Sequence, residues 1–132
     1  MPFGDLGETD MMEIGAGQHG EGGGVRVPMM SSKDTVATVA EALSSKLGLA
    51  AGDKAFVMIN GCGATTMMEM LVLFKDTVEF LRAKGIEVVA SMVGEILTVQ
   101  EAAGFQMNIA KWDDETLRLW NTSCHTPAYS KE

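Results

Sequence analysis

The sequence predicts an α/β fold in which a mixed sheet of about four or five strands is flanked by helices. Apolar runs of strand length alternate along the chain with segments of helical periodicity. The run Ala55–Ile59 is apolar throughout, which is typical of a strand covered on both faces by helices. No internal repeat or long linker divides the 132 residues, so we expect a single domain over residues 1–132.

Four segments have the length and composition of strands. They are Met11–Gly15, Ala55–Ile59, Ile86–Val93 and Phe105–Ala110. The last segment alternates, which places Phe105, Met107 and Ile109 on one face. The stretch Gly17–Pro28 contains too many glycines for regular structure, so it is predicted to be a loop.

The first long helix is predicted from its two ends and from one apolar stripe. Ser31 can cap the N-terminus, with Asp34 three residues later, and Gly48 stands where a helix-ending glycine is expected. Between them, apolar residues recur every three or four positions, which predicts a face that packs into the core. The stripe consists of Val36, Val39, Ala40, Leu43 and Leu47.

The second long helix begins with the pattern of a capping box. Thr66 and Glu69 have the required spacing, and Lys84 with Gly85 is expected to end the helix. Its predicted core face consists of Met67, Met70, Leu71, Phe74, Val78 and Leu81.

Three further segments complete the predicted fold. Leu97–Ala103 is expected to be a short helix, and Asp113–Asn121 a final helix whose first turn carries acidic side chains. Thr122–Glu132 is expected to be irregular. Trp112 and Trp120 are interpreted as core or interface anchors.

Charge and composition exclude several classes of function. The net charge is −8 and the ten Lys and Arg residues form no basic patch, so a nucleic acid is not an expected partner. No apolar stretch reaches the length of a membrane span and the N-terminus does not resemble a signal peptide, so we expect a cytoplasmic protein with no membrane partner. Cys62 and Cys124 lack metal-ligand spacing and are expected to be reduced thiols, and no metal site is predicted.

The strongest candidate for a functional residue is His19, which stands in a run containing six glycines between Met12 and Gly24. Glycine removes side-chain bulk, so the imidazole would be open to a small ligand. On local sequence alone, such a segment is more often a mobile surface loop. The other histidine, His125, is interpreted as a packing or hydrogen-bonding residue at the edge of the domain.

A second loop, Asn60–Thr66, also lies between a strand and a helix. Ligands of α/β sheets bind at the carboxyl ends of parallel strands, and this loop could present backbone N–H groups to an anion. It lacks the lysine of a phosphate-binding loop, so a tight turn is the favoured interpretation. Cys62 within it is expected to be a small packed residue rather than a nucleophile.

Several collinear segments resemble the dihydroxyacetone (glycerone) kinase K-subunit family, in its C-terminal part only. The clearest is Glu13–Glu21, with the order Glu-Ile-Gly-Ala-Gly-Gln-His-Gly-Glu. The loop Asn60–Thr65 resembles the family's Asn-Gly-Leu-Gly-Ala-Thr. The other segments are Met68–Met70, Ala103–Phe105, Trp112–Leu117 and His125–Ala128. The resemblance implies the fold of the K subunit's C-terminal domain.

The resemblance also implies a chemistry for His19. In that family the matching histidine forms a covalent hemiaminal with the carbonyl carbon of dihydroxyacetone. Gly20 and Glu21 would then be substrate-binding residues, with Glu21 orienting the imidazole or a substrate hydroxyl. Gln18, Gly22 and Thr66 depart from the family pattern, since proline is usual at the last two positions.

The same resemblance implies that other protein parts complete a kinase. The N-terminal K-subunit region is absent from this sequence, and an isolated chain is therefore expected to be inactive. No cofactor is expected on this chain, because ATP or ADP with Mg²⁺ would be bound by a partner L subunit or domain. Dihydroxyacetone and a second copy of the chain are further expected partners. The alternative functions are a non-catalytic regulator or coactivator that binds dihydroxyacetone, and an assembly module.

Overall fold

The structure is a computed structural model that describes residues 10–17, 23–97 and 102–132. Over these residues it confirms the α/β class, with three helices and a mixed central sheet. In chain order the elements are β1 (Met11–Ile14), β2 (Val25–Pro28), α1 (Ser32–Leu47), β3 (Lys54–Gly61), α2 (Met67–Ala83), β4 (Glu87–Gly94), β5 (Phe105–Trp112), α3 (Asp114–Trp120), β6 (Cys124–His125) and β7 (Ser130–Lys131).

The central sheet has the strand order β4-β3-β5. Strand β3 is parallel to β4 and antiparallel to β5, so the sheet is mixed as predicted. It has three strands among the described residues rather than four or five, because β1 pairs with β2 and β6 with β7 in separate two-stranded units. The pairing of β3 with β4 shifts between Ala55 and Phe56, where the register is irregular.

The core lies between the sheet and helices α1 and α2. Alternation along β3 directs Ala55, Val57 and Ile59 to this face, where each is fully buried. They meet apolar residues that line one side of each helix. The helix residues of the buried core are Val36, Ala40, Met70, Leu73 and Leu81.

An aromatic cluster occupies the opposite face of the sheet at one end. Phe56 stacks on Trp112 with ring centroids 4.9 Å apart, and Trp120 of α3 contacts both rings at 5.4 Å. Such ring pairs add stability beyond the apolar area that they bury. Both tryptophans are therefore packing residues, which fits the prediction that they are core or interface anchors.

The predicted helix ends are confirmed. The Ser31 side chain accepts a hydrogen bond from the Asp34 N–H, and Gly48 adopts φ 62° at the end of α1. Thr66 and Glu69 form a complete capping box at the start of α2. Asp113 caps α3 by accepting a hydrogen bond from the Thr116 N–H at 2.7 Å, so its role is structural.

The predicted core face of α2 is partly wrong. Leu71 and Met67 are exposed, and the face that packs on the sheet instead follows the spacing of Met70, Leu73, Thr77 and Leu81. The helix has apolar residues on two sides, so periodicity alone could not decide which side meets the sheet.

Two predictions of irregular structure need correction, and one predicted helix lies mostly outside the described residues. The stretch Gly17–Pro28 is not irregular throughout, because its last four residues form β2 against β1. The tail contains the short pair β6 and β7, joined by two paired positions. Of the short helix predicted at Leu97–Ala103, residues 98–101 lie outside the described part, and Ala102 forms a parallel bridge with Gly63. The β1–β2 pairing and the bridge between Gly63 and Ala102 depend on partners in other segments of the chain, which local sequence does not reveal.

Gly85 is expected to be sensitive to substitution. Its φ is 75°, and a Cβ at this position would lie 2.9 Å from Cβ of Ala51. Gly85→Ala should lower the free energy of unfolding by about 1–3 kcal/mol, measured by urea denaturation. Gly48→Ala is the matched control, because Gly48 has φ 62° and a methyl group placed on it would have no atom within 4 Å. Equal losses in the two variants would refute the contact with Ala51.

The contacts of the buried Asp76 carboxyl predict that the stability of the fold depends on pH. It is buried on α2, accepts a hydrogen bond from Ser32 Oγ at 2.6 Å, and forms an ion pair with Lys75 at 3.2 Å. The Ser32 hydroxyl and then the Lys75 ammonium lower the pKa of this carboxyl, against the opposing effect of burial. A lowered pKa stabilises the fold above the ordinary carboxyl pKa, and this contribution disappears as the pH falls through the folded-state value.

We therefore expect Asp76→Asn to lower the urea midpoint at pH 7, and the difference from wild type to shrink below about pH 4. Glu132→Gln, at an exposed carboxylate near the chain end, should leave the midpoint unchanged across the same range. A difference that stays constant from pH 7 to pH 3 would show that Asp76 does not stabilise the fold through its charge.

Candidate functional site

The predicted site residues His19, Gly20 and Glu21 lie outside the described residues, as do Gln18 and Gly22. The structure does describe the two ends of the segment that contains them. Ile14 at the end of β1 pairs with Val25 at the start of β2, so the segment leaves and re-enters the fold at neighbouring positions. The pairing of β1 with β2 extends to the opposite end of the two strands, where the Met29 N–H donates to the Asp10 carbonyl at 2.8 Å.

Three described glycines next to this segment are explained by backbone conformation or by close packing. Gly15 and Gly23 adopt φ values of 86° and 133°, a region that other residues rarely enter. At Gly24, a Cβ would lie 2.0 Å from Oε1 of Glu13. Some of the glycines that surround His19 in the sequence therefore shape the connection between β1 and β2.

The second predicted loop follows β3 and is tied to the chain segment that precedes β5. The Cys62 N–H donates to the Gly104 carbonyl at 3.1 Å, and the Ala64 N–H donates to the Ala102 carbonyl at 3.2 Å. The Thr65 hydroxyl also donates to the Gly104 carbonyl. These amides are already hydrogen-bonded, so the structure favours the tight-turn interpretation of the loop over the anion-binding one.

The N-terminus of α2 is capped by a carboxylate of the same helix, that of Glu69. Glu69 accepts hydrogen bonds from the Thr66 N–H at 2.8 Å and from the Thr66 hydroxyl at 2.7 Å. The hydroxyl and then the backbone N–H lower the pKa of Glu69, so this carboxyl is ionised at neutral pH. An incoming anion would have to displace it, which is a second reason against an anion site here.

Asn60 is the polar residue that organises the strand ends. It is fully buried, and its Oδ1 accepts hydrogen bonds from the N–H groups of Ile96 and Leu97 at 2.7 and 2.9 Å. Its Nδ2 donates to the Leu97 carbonyl at 2.6 Å and to Oε1 of Gln106 at 2.8 Å. One side chain therefore holds the chain after β4 against the ends of β3 and β5. No local sequence signal identifies this role, because every partner of the Asn60 side chain is at least 36 residues away.

Glu95 and Met70 meet at Gly61. A Cβ on Gly61 would lie 2.1 Å from Oε1 of Glu95 and 2.9 Å from Sδ of Met70, so the first turns of α2 and the residues after β4 converge there. Burial, and then the charge of Glu95, raise the pKa of the neighbouring Cys62 thiol. A raised pKa and partial burial favour the predicted packing role of Cys62 over a nucleophilic one.

The remaining histidine and cysteine, His125 and Cys124, lie on β6 and not in either predicted loop. His125 is exposed on β6, where its Nδ1 is 2.9 Å from the Ser130 hydroxyl of β7, in keeping with a hydrogen-bonding role. Cys124 is exposed and forms no disulfide.

Within the described ranges, no three His, Cys, Asp or Glu side chains are grouped as metal ligands would be. Over the same ranges, no helix is both long and apolar enough to cross a bilayer.

Comparison with protein families identifies the fold. The Dak1 domain matches residues 5–128, which is nearly the whole chain. The chain belongs to the Dak1 family. One Dak1 relative, the dihydroxyacetone-binding subunit DhaK of PTS-dependent dihydroxyacetone kinase 1 of Listeria innocua, is 40% identical over 84% of this chain and 33% of its own length. The D-erythrulose kinase of Mycolicibacterium smegmatis is 31% identical over 91% of this chain and 21% of its own length.

A solved structure shows the same Dak1 fold. The dihydroxyacetone kinase operon co-activator Dha-DhaQ superposes with a TM-score of 0.77 at 22% identity, covering 84% of this chain and 35% of that chain. The chain thus spans about a third of the length of the DhaK relatives that it matches. The resemblance carried by the sequence motifs is confirmed at the level of the family.

Proposed function

We propose that this chain is the substrate-binding part of a dihydroxyacetone (glycerone) kinase and that His19 captures the ketone as a covalent hemiaminal. The observation that carries the proposal is the Dak1 match together with 40% identity to a dihydroxyacetone-binding subunit. The motif Glu13–Glu21 supplies the histidine at the position where the family uses one.

The capture step balances without a cofactor. A neutral imidazole nitrogen of His19 adds to the carbonyl carbon of dihydroxyacetone, forming a C–N bond while the carbonyl π pair moves to oxygen. The oxygen gains a proton and becomes a hydroxyl, and the second ring nitrogen loses its proton. The product is a neutral, reversible adduct. A protonated imidazole has no free nitrogen lone pair, so capture requires a pH at which the ring is neutral.

Covalent capture explains how such a site would select its substrate. Glycerol has nearly the size and polarity of dihydroxyacetone but no electrophilic carbon, so it cannot form the adduct. Small pockets discriminate poorly between such analogues by shape alone. A captured ketone also has its terminal hydroxyl in a restricted orientation, which favours phosphoryl transfer.

The neighbours of His19 have proposed supporting roles. Gly20 would leave room for a three-carbon substrate beside the ring, and Glu21 would orient the imidazole or a substrate hydroxyl. The β1–β2 pairing at Ile14 and Val25 supports this arrangement, because it fixes both ends of the segment.

Phosphoryl transfer is proposed to require partners. The matched third of the relatives' length leaves room for a further K-subunit region, which would complete the substrate site. The phosphoryl donor, ATP or ADP with Mg²⁺, would be carried by an L subunit or a further domain. In this assembly the chain holds the ketone and the partner supplies the phosphoryl group.

An NMR titration tests the capture step. Dihydroxyacetone labelled with ¹³C at its carbonyl is added to the chain at pH 7.5, and the ketone resonance is expected to give way to that of a tetrahedral carbon. Labelled glycerol at the same concentration should show no bound covalent carbon. If the ketone resonance is unperturbed at saturation, and remains so when the preceding region of the Listeria innocua subunit is added, the proposed capture is wrong.

A regulator is the second candidate function, since the Dha-DhaQ co-activator has the same fold. A regulator and a kinase component would have the same fold, so only a measurement of catalytic turnover can distinguish the two functions. Capture of dihydroxyacetone without phosphorylated product, after both the remaining part of the Listeria innocua subunit and a nucleotide-loaded L subunit are supplied, would identify a regulator. Phosphorylated product under the same conditions would identify a kinase component.

A further inference from the structure

Asn60 and Gly61 form an Asn-Gly sequence, in which the asparagine side chain is chemically labile. The backbone nitrogen of the next residue can attack the side-chain amide, and glycine has no side chain to obstruct the attack. The chain has two other asparagines, Asn108 and Asn121, and each is followed by a β-branched residue that shields this nitrogen. Among the three asparagines, the sequence alone therefore predicts that Asn60 reacts first.

The structure indicates the opposite order for the folded chain. Asn60 retains 1% of its accessible surface, and Gly61 beside it is buried. Asn108 and Asn121 are exposed. The Asn60 amide is also engaged on both sides, because Oδ1 accepts from two backbone N–H groups and Nδ2 donates to two oxygens. Base and water must reach an asparagine before it can react, so burial keeps Asn60 from reacting while the strand ends are closed.

The reaction is a ring closure followed by hydrolysis. Base removes the proton of the Gly61 N–H, and the nitrogen attacks Cγ of Asn60. A C–N bond forms while the bond from Cγ to Nδ2 breaks, and ammonia leaves carrying the proton that the base had taken. Water then opens the cyclic imide at either carbonyl, which leaves aspartate or isoaspartate at position 60. Because Nδ2 is expelled, its two hydrogen bonds must break before the ring can close.

The product does not fit the place of the amide. A carboxylate has no N–H, so it cannot donate to the Leu97 carbonyl or to Oε1 of Gln106 as Nδ2 does. It also brings a negative charge close to these oxygens in a buried position. Isoaspartate in addition lengthens the main chain of β3 by one carbon, which disturbs its pairing with β4 and β5. A converted chain therefore rebuilds weaker strand ends.

We propose that the closed strand ends protect Asn60 from deamidation, and that its conversion when the ends open is an irreversible loss of stability. The same residue is then the most reactive asparagine of the unfolded chain and the most protected asparagine of the folded chain. Its rate of conversion in the folded chain depends on the free energy that separates the closed and open strand ends. Neither His19 nor a ligand takes part, so the inference is independent of the proposed function.

Peptide mapping of the wild-type chain tests the proposal, because trypsin places the three asparagines in different peptides. These are residues 55–75, 85–111 and 119–131. The chain is kept in mildly alkaline H₂¹⁸O, either folded or in concentrated guanidinium chloride, and mass spectrometry measures the ¹⁸O-labelled product at each position. Asn60 is expected to convert at least about tenfold faster in denaturant than in the folded chain. It should be the fastest of the three in denaturant and the slowest in the folded chain.

Gly61→Ala is the chemical control. It is compared with wild type only in guanidinium chloride, where both proteins are unfolded, so the space available at Gly61 in the fold does not affect the result. The alanine methyl group should slow the conversion of Asn60 towards the rates of Asn108 and Asn121.

A proteolysis pulse tests the loss of stability. Wild-type chains are partly converted in denaturant, refolded, and digested briefly at the urea midpoint of the unconverted chain. Chains converted at position 60 should be depleted from the surviving pool at least about fivefold relative to chains converted at position 108 or 121.

Three results would overturn the proposal. Equal conversion of Asn60 in the folded and unfolded chains would show that the strand ends do not protect it. Conversion of Asn60 in denaturant no faster than that of Asn108 would show that the Asn-Gly sequence is not the reactive one. Survival of chains converted at position 60 in the same proportion as the others would show that the strand ends accept the product.

Discussion

His19→Ala is expected to abolish the tetrahedral ¹³C resonance of bound dihydroxyacetone and to weaken binding at least about 100-fold. Alanine has no nucleophilic nitrogen, so the C–N bond cannot form, and the hydrogen bonds that remain must compete with water. The folded state should be unaffected, which the urea midpoint of the variant would verify.

His125→Ala is the matched control, because it removes the other histidine of the chain. Its contact with Ser130 is exposed, so both capture and stability should stay close to wild type. If His125→Ala abolished the tetrahedral resonance while His19→Ala retained it, the assignment of capture to the glycine-rich segment would be wrong.

Of the substitutions considered, Asn60→Ala is expected to lower the free energy of unfolding most, by about 2–4 kcal/mol. The substitution removes the acceptor for two backbone N–H groups and the donor for a carbonyl in a buried setting. Amide hydrogen exchange at Ile96 and Leu97 should accelerate more than exchange in α1, because those two N–H groups lose their partner directly.

The exposed residue Asn108 of β5 provides the comparison. Asn108→Ala is a surface change on the same sheet and should alter stability by less than about 0.5 kcal/mol. An Asn60→Ala variant as stable as Asn108→Ala would show that the strand ends do not depend on the buried amide.

Local signals predicted the parts of the fold that local interactions decide. Ser31 and Thr66 could be recognised as caps because the groups that they bind lie three residues away on the same helix. The apolar run Ala55–Ile59 predicted a strand covered on both faces, and the alternation of Phe105, Met107 and Ile109 predicted the core-facing side of β5.

Contacts between distant segments decided the rest. The exposure of Leu71 depends on which side of α2 meets β3 and β4, and a helix with two apolar sides is consistent with either. Strand β2 follows a run of glycines and is four residues long, so its pairing with β1 supplies the stability that its own sequence lacks.

The candidate site divides in the same way. His19 stands out because glycine and histidine have distinctive local properties, and because its motif resembles that of a family. The role of Asn60 could not be read from the loop Asn60–Thr66, because its four hydrogen bonds reach residues 36 to 46 positions away.

The sequence by itself determined the α/β class, the helix caps and the Dak1 family, and it singles out His19 as a candidate that stays a prediction. Each rests on spacing within a short segment or on a collinear motif. Only the tertiary structure decided which side of α2 is buried, that the amides after β3 are already bonded, and that Asn60 joins three strand ends. These outcomes depend on burial and on hydrogen-bond partners distant in sequence, and a linear pattern specifies neither.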